Sequence, residues 1–137
     1  MSFHVRAAKK EDVPFLLDSW MKSWRVNKHS GCIPNNQFYQ VTRDCIENLV
    51  ARGSKFRVAC LDKDEDAILG WICYEKLRDS SDCVHYMYVK DPYLKMGIGN
   101  KLADEVSLSG FYSHKFTQVK DFFSKFKWAP EIARRKD

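Results

Sequence analysis

Val89-Lys90-Asp91-Pro92-Tyr93-Leu94-Lys95-Met96-Gly97-Ile98-Gly99-Asn100-Lys101-Leu102 is the stretch that decides how this 137-residue chain folds. A strand-like apolar run, Cys83 to Val89, leads into it, and helical spacing follows from about Gly99 to Leu108. Gly97 and Gly99 therefore fall where a strand and its loop enter a helix. Without side chains, they let a ligand approach the main chain and let several amide N–H groups point one way. The positive end of the helix dipole adds to that field, so the pattern favours a phosphate, with Lys95 and Lys101 close by. Other glycine motifs fit poorly. No Gly-Lys-Ser/Thr follows, as a nucleotide-hydrolysing loop requires, and the third glycine of the dinucleotide fingerprint is missing. A bare Gly-x-Gly is also what an ordinary tight turn carries.

Working outward, Phe3, Val5 and Ala7 alternate with His4 and Arg6, a short strand. Glu11 and Asp12 open a helix with Pro14 in its first turn and Leu17, Trp20, Met21 and Trp24 on one face. A polar loop, Val26 to Asn36, precedes a second helix, with Asn35 or Asn36 as its cap and Phe38, Val41, Cys45 and Leu49 as its apolar stripe. Gly53 is placed to end it. The period then becomes two: Phe56/Val58/Cys60, an acidic turn over Asp62 to Asp66, the apolar run Ile68 to Tyr74, and a polar turn before Cys83. After the glycine helix come a strand candidate, Phe111 to Phe116, and a last helix through Val119, Phe122, Phe123 and Phe126. The order β-α-α-β-β-β-α-β-α predicts an α/β (α+β) domain over residues 1–137. Its sheet is mixed and mostly antiparallel, with helices on both faces and one right-handed parallel crossover.

Composition bounds the function. Apolar residues are 45% and charged residues 30%, ordinary for a soluble globular domain. The N-terminus MSFHVRAAKK lacks a signal-peptide core, and no apolar run approaches the ~20 residues of a membrane helix. A cytoplasmic location without membrane attachment is expected. The five cysteines, 32, 45, 60, 73 and 83, are odd in number and widely spaced, with no C-x-x-C pair. They read as reduced, buried thiols, and no metal is expected. A net charge of +5 suits an anionic ligand. The basic residues are scattered apart from Arg134-Arg135-Lys136, and no nucleic-acid-binding pattern is present, so nucleic acid is not expected as a partner.

A strand running into Gly-x-Gly and a helix resembles motif A of the GCN5-related N-acetyltransferases (GNAT), and the element order matches that family over nearly the whole chain. The family's Arg/Gln-x-x-Gly-x-Gly/Ala falls on Leu94-Lys95-Met96-Gly97-Ile98-Gly99, with both glycines kept and Leu94 replacing Arg or Gln. The stretches Pro14 to Trp20 and Tyr88-Val89-Lys90 are also similar to small phage- and prophage-encoded members. The resemblance implies acetyl-CoA as cosubstrate. Met87, Tyr88 and Val89 would hold the pantetheine arm through main-chain groups, and Lys95, Met96, Gly97, Ile98, Gly99 and Asn100 would hold the pyrophosphate. It implies transfer of an acetyl group to a primary amine of a small molecule or a protein.

Such a transfer needs a neutral amine, and a lysine-like amine with a pKa of about 10.4 is mostly charged at neutral pH, so a base is useful. His85, on the strand that would border the thioester, is the candidate base; the alternative is a histidine that packs or hydrogen-bonds at the sheet face. Glu75 is a second candidate, with a solvated strand-end carboxylate as its simpler reading. The family's last-helix tyrosine falls on Phe123 in Phe123-Ser124-Lys125-Phe126-Lys127-Trp128, which cannot donate a proton. Tyr112, His114 or water is the candidate substitute acid, with strand residues bonded to local partners as the simpler reading of Tyr112 and His114. His29, Lys28 and Cys32 lie in the loop that shapes the acceptor site in the family. Leu94 and Phe123 keep a second reading open, a catalytically weak or inactive relative that binds CoA or a protein partner. An exposed sheet edge or aromatic helix face leaves room for a homodimer.

Overall fold

The computed structural model describes residues 2–25, 35–78, 81–106, 110–113, 126–129 and 131–134. The alternating N-terminal segment forms β1 (Phe3–Ala7), and a 3-10 turn (Lys10–Asp12) leads into α1 (Val13–Arg25). Asp12 ties that turn down. Its carboxylate accepts from the Lys9 amide at 2.7 Å and from both terminal nitrogens of Arg6 at 2.7 and 3.2 Å. Helix α2 (Asn35–Ala51) stops where Gly53 takes a φ of 91°. The amides of Gly53 and Ser54 then bond back to Val50 and Leu49 at 3.1 and 3.0 Å, the closure a left-handed residue permits.

The buried stripe of α2 is Thr42, Ile46 and Leu49, with Cys45 half-buried, whereas Val41 is 66% exposed. This corrects the predicted stripe through Val41. At about 3.6 residues per turn, Thr42 lies in line with Ile46 and Leu49, and Val41 falls on the shoulder.

Short polar turns join β2 (Lys55–Leu61), β3 (Asp64–Lys76) and β4 (Asp82–Val89) into antiparallel hairpins. The acidic turn is tighter than predicted, since Asp64 already pairs with Leu61. Helix α3 (Ile98–Ala103) crosses over and β5 (Gly110–Tyr112) returns parallel to β4. Then β6 (Lys127–Trp128) pairs parallel to β5, and α4 (Glu131–Arg134) follows. The six-stranded mixed sheet has the order β1-β2-β3-β4-β5-β6. The helix expected over Val119 to Phe126 lies outside the described residues except for Phe126. Elements as short as β6 and α4 show no period by which a sequence could announce them.

Gly70 and Trp71, adjacent on β3, point to opposite faces of the sheet. Ile98 of α3 covers the Gly70 side, and Trp20 of α1 packs on the Trp71 side with ring centroids 5.4 Å apart. Helices therefore cover both faces, as predicted. Trp20, Trp71, Tyr86 and Phe56 form the centre of the core, and the Trp71 indole N–H donates to Ser19 Oγ at 2.9 Å. Cys60, Cys73 and Cys83 are buried thiols. Burial, and then the nearby Glu75 charge, hold the Cys73 thiol well above its ordinary range, so it packs rather than reacts. Cys32 lies outside the described residues. No described helix is long and apolar enough to cross a membrane.

Gly110 is where β5 meets β4. A Cβ there would lie 2.3 Å from the Asp82 carbonyl oxygen, main chain that cannot swing away. Gly110→Ala is expected to push β5 off β4 and lower the unfolding free energy by about 2–3 kcal/mol, read from the urea midpoint. An unchanged midpoint would show that the junction is not closely packed.

Candidate functional site

Strand β4 is regular against β3 from Val89 back to Tyr86, and then its register slips. Cys73 faces Tyr86 while the next residue, Tyr74, faces Val84, so His85 is the extra residue of a bulge. The parallel partner β5 reaches only as far as this bulge. Its last ladder pair is Val84–Tyr112, followed by Ser113 N–H donating to the Val84 carbonyl at 3.1 Å. Beyond it, no strand among the described residues pairs with the second half of β4 on that side. The Lys90 amide donates to Leu69 on β3 at 2.9 Å. Alternation then turns the main-chain groups of Met87 and Val89 toward the open side and those of Tyr88 toward β3. Of the three residues expected to offer main-chain groups, two face the opening.

The chain leaves this edge through a 3-10 turn (Asp91–Tyr93) and reverses with Lys95 at φ 65° and Gly97 at φ 84°. Gly97 is the N-cap of α3 and no side chain caps the helix. The first-turn amides, Ile98 to Asn100, therefore have no helical acceptor. A Cβ on Gly97 would meet nothing within 4 Å. Open space at Gly97 next to uncapped amides, with Lys95 and Lys101 close in sequence, suits a phosphate held by main chain. The site thus fits the pyrophosphate of an acyl-CoA. Leu94 and Met96 are 44% and 47% exposed.

Where β5 ends, β4 and β5 part in a fork, and His85 is fully buried at its base, with both ring nitrogens engaged. Nδ1 lies 2.6 Å from Ser113 Oγ, and Nε2 lies 2.6 Å from Glu75 Oε1. Arg52, from the turn after α2, donates to the same Glu75 oxygen and to the Ile132 carbonyl of α4. Burial holds His85 below its ordinary value, only partly offset by Glu75, and Arg52 also opposes protonation. Burial alone would raise Glu75, but hydrogen bonds from His85 and Arg52 outweigh it and lower it. The consistent state is a neutral imidazole that donates from Nε2 to the Glu75 carboxylate and accepts the Ser113 hydroxyl proton at Nδ1.

Glu75 is thus not a solvated strand end, since its side chain is only 16% exposed. Ser113 and Arg52 carry no motif that marks them in the sequence. Tyr112, the last residue of β5, is half-buried and, one residue before Ser113, points to the other face of the sheet, away from His85. His114, Phe123 and the loop residues Lys28, His29 and Cys32 lie outside the described residues.

The pH dependence follows with a definite sign. Because the folded-state pKa of His85 lies below 6.5, the unfolded chain binds that proton first as pH falls. The stability that neutral His85 contributes is present above pH 6.5 and lost as pH drops below it. The contribution of Glu75, lowered from 4.5, is lost further down, below 4.5. Urea melts across this range should show two falling steps, and His85→Gln should remove the upper one. An upper step of unchanged size in that variant would assign it to another group.

No family model and no curated protein matches the chain. Solved structures do. The chain is 20% identical to a GNAT-family acetyltransferase of Staphylococcus aureus, at a TM-score of 0.54 over 77% of this chain. It spans 63% of that protein, less than two thirds of its length. It is 20% identical to an acetyltransferase described from Pyrococcus furiosus, at a TM-score of 0.59 over 76% of this chain and 71% of that one. It is 21% identical to the PaiA N-acetyltransferase of Thermoplasma acidophilum, solved in complex with coenzyme A, at a TM-score of 0.57 over 77% of this chain and 69% of that one. The fold is therefore that of the GNAT acetyltransferases.

Proposed function

We propose that this chain is an acyl-CoA-dependent N-acyltransferase that moves an acetyl group from acetyl-CoA to a primary amine of a small molecule or protein, and that it works in the cytoplasm. The observation that carries this is the fork. β4 is bulged at His85, lacks a described strand partner beyond it, and ends at an uncapped glycine turn. Main-chain groups of Met87 and Val89, with the Tyr88 side chain beside them, would line the pantetheine arm. Lys95 to Asn100 would hold the pyrophosphate. Bound acetyl-CoA supplies an activated thioester carbonyl.

His85 is too enclosed to touch an amine itself. Its part is to accept a proton at Nδ1 through the Ser113 hydroxyl while Glu75, held by Arg52, stabilises the resulting imidazolium. A depressed pKa keeps the imidazole ready to accept at neutral pH. Tyr112 supplies a phenol on the α3 face of the same fork, where it can return a proton to the departing thiolate.

The test is thiol release from acetyl-CoA across a panel of polyamines, lysine-rich peptides and aminoglycosides. Release should depend on the amine, and His85→Ala should lower kcat by about 10²–10⁴-fold with the KM for acetyl-CoA nearly unchanged. Thiol release that no amine accelerates would contradict the reading.

A further inference from the structure

At the opposite edge of the sheet, three side chains with metal-ligand chemistry converge: His4 on β1, Cys60 on β2 and Glu65 at the start of β3. Their ligand atoms all lie within 4.8 Å of one another. We propose that they form a binding site for a zinc-like divalent cation that fastens the edge strand β1 to the β2–β3 hairpin.

The geometry is already close to a tetrahedral site. Metal–sulfur and metal–nitrogen bonds of about 2.3 and 2.05 Å at a tetrahedral angle put sulfur and nitrogen about 3.6 Å apart. Cys60 Sγ and His4 Nε2 are 3.5 Å apart. Glu65 Oε2 is 4.0 Å from that nitrogen, and a half-exposed side chain closes the small remainder readily.

Two features of the fold aim these groups. His4 and Cys60 are directly paired in the β1–β2 ladder. The β2–β3 register slips on both sides of Cys60, which leaves residues 65–67 outside the ladder, and such bulges re-aim side chains. The Glu65 main chain is held in place by Arg6, whose Nη2 donates to its carbonyl at 2.7 Å.

Beyond the ligands, His4 Nδ1 is 2.6 Å from Asp62 Oδ1. An imidazole that donates there to a carboxylate presents its Nε2 lone pair toward Cys60, the arrangement that commonly supports a metal-bound histidine. The thiol proton now occupies that direction. On binding, the cation replaces it: the S–H bond breaks, a metal–sulfur bond forms, and one proton leaves to solvent. Two cations face Glu65, with Arg6 Nε at 3.6 Å and Lys9 Nζ at 3.9 Å. Arg6, which also bonds the Cys60 side chain, is neutralised by its two-pronged pair with Asp12, and the half-exposed Lys9 side chain is able to swing outward when the cation binds. One thiolate, one imidazole and one carboxylate select a borderline-soft ion such as Zn²⁺ over Mg²⁺ or Ca²⁺, with water in the fourth position.

The experiment uses the full chain without an affinity tag, stripped with chelator and kept reduced, and titrated with Co²⁺. One equivalent should produce a thiolate-to-cobalt charge-transfer band and tetrahedral visible bands, both displaced by Zn²⁺. Cys60→Ser should abolish the charge-transfer band. His4→Gln, at a half-exposed edge position that leaves the core intact, should weaken binding at least tenfold, and Asp62→Asn about 10–100-fold. Cys45→Ser should leave the spectrum unchanged. A wild-type chain with no charge-transfer band overturns the proposal, as does a band of full strength and affinity in the His4→Gln protein.

Discussion

Trp71→Ala is expected to lower the unfolding free energy by about 3–5 kcal/mol. The indole is completely buried on the central strand β3, with Trp20, Tyr86 and Phe56 centred 5.4, 5.7 and 5.9 Å away. Truncation removes these ring contacts, and a fourth with Tyr88 at 6.3 Å, and opens a cavity under α1. It also strands Ser19 Oγ, which accepts the indole N–H while bonding the Phe15 carbonyl at 2.7 Å. A domain of this size has about 5–15 kcal/mol in total, so the variant should sit near the threshold of folding. Trp71→Phe keeps part of the ring packing and should lose roughly half as much. Urea melts of both proteins give the comparison; a loss below about 1 kcal/mol for Trp71→Ala would mean that this aromatic cluster is not the centre of the core.

Arg52→Ala should have an effect of similar size, about 3–5 kcal/mol, for an electrostatic reason. The guanidinium is largely buried and is the only cation among the described residues bonded to Glu75. Without it, a mostly buried carboxylate faces only a neutral imidazole, and the Ile132 carbonyl loses a donor. His85 should then take up a proton more readily, because the charge opposing it is gone and Glu75 still favours it. Its folded-state pKa rises, so the acid-side loss of stability near pH 6.5 should shrink in this variant. The double variant Arg52→Met/Glu75→Gln removes both charges and should recover part of the loss. If the double variant is as unstable as the sum of its single changes, the two residues are not coupled.

Much of the fold was legible because its elements are long and periodic. Phe3 to Ala7, the Trp20/Met21 face, the switch to period two after Gly53 and the entry at Gly97 each speak through local chemistry. The α2 stripe was misplaced at Val41 because an apolar residue on the shoulder of a helix is locally indistinguishable from one on its face. The site divides the same way. A Gly-x-Gly turn is written in consecutive residues, so the uncapped start of α3 was readable. The network at His85 was not, because Arg52, Glu75, His85 and Ser113 come from four separate segments that only the β4 bulge and the β5 register bring together. The same holds for His4, Cys60 and Glu65, joined across strands by a register slip that no local pattern records.

The most direct test of the central claim is a calorimetric titration with coenzyme A of the wild-type chain and of Gly97→Val. A Cβ at Gly97 would meet nothing within 4 Å, so the main cost of the variant is the backbone strain of a non-glycine residue at φ 84°, about 1–2 kcal/mol, and it should stay folded. Its β-branched side chain would nevertheless occupy the space over the α3 amides. The account predicts saturable one-to-one binding to the wild-type chain and at least a tenfold loss in Gly97→Val. Absence of binding to the wild-type chain, or equal affinity in the two proteins, would contradict it.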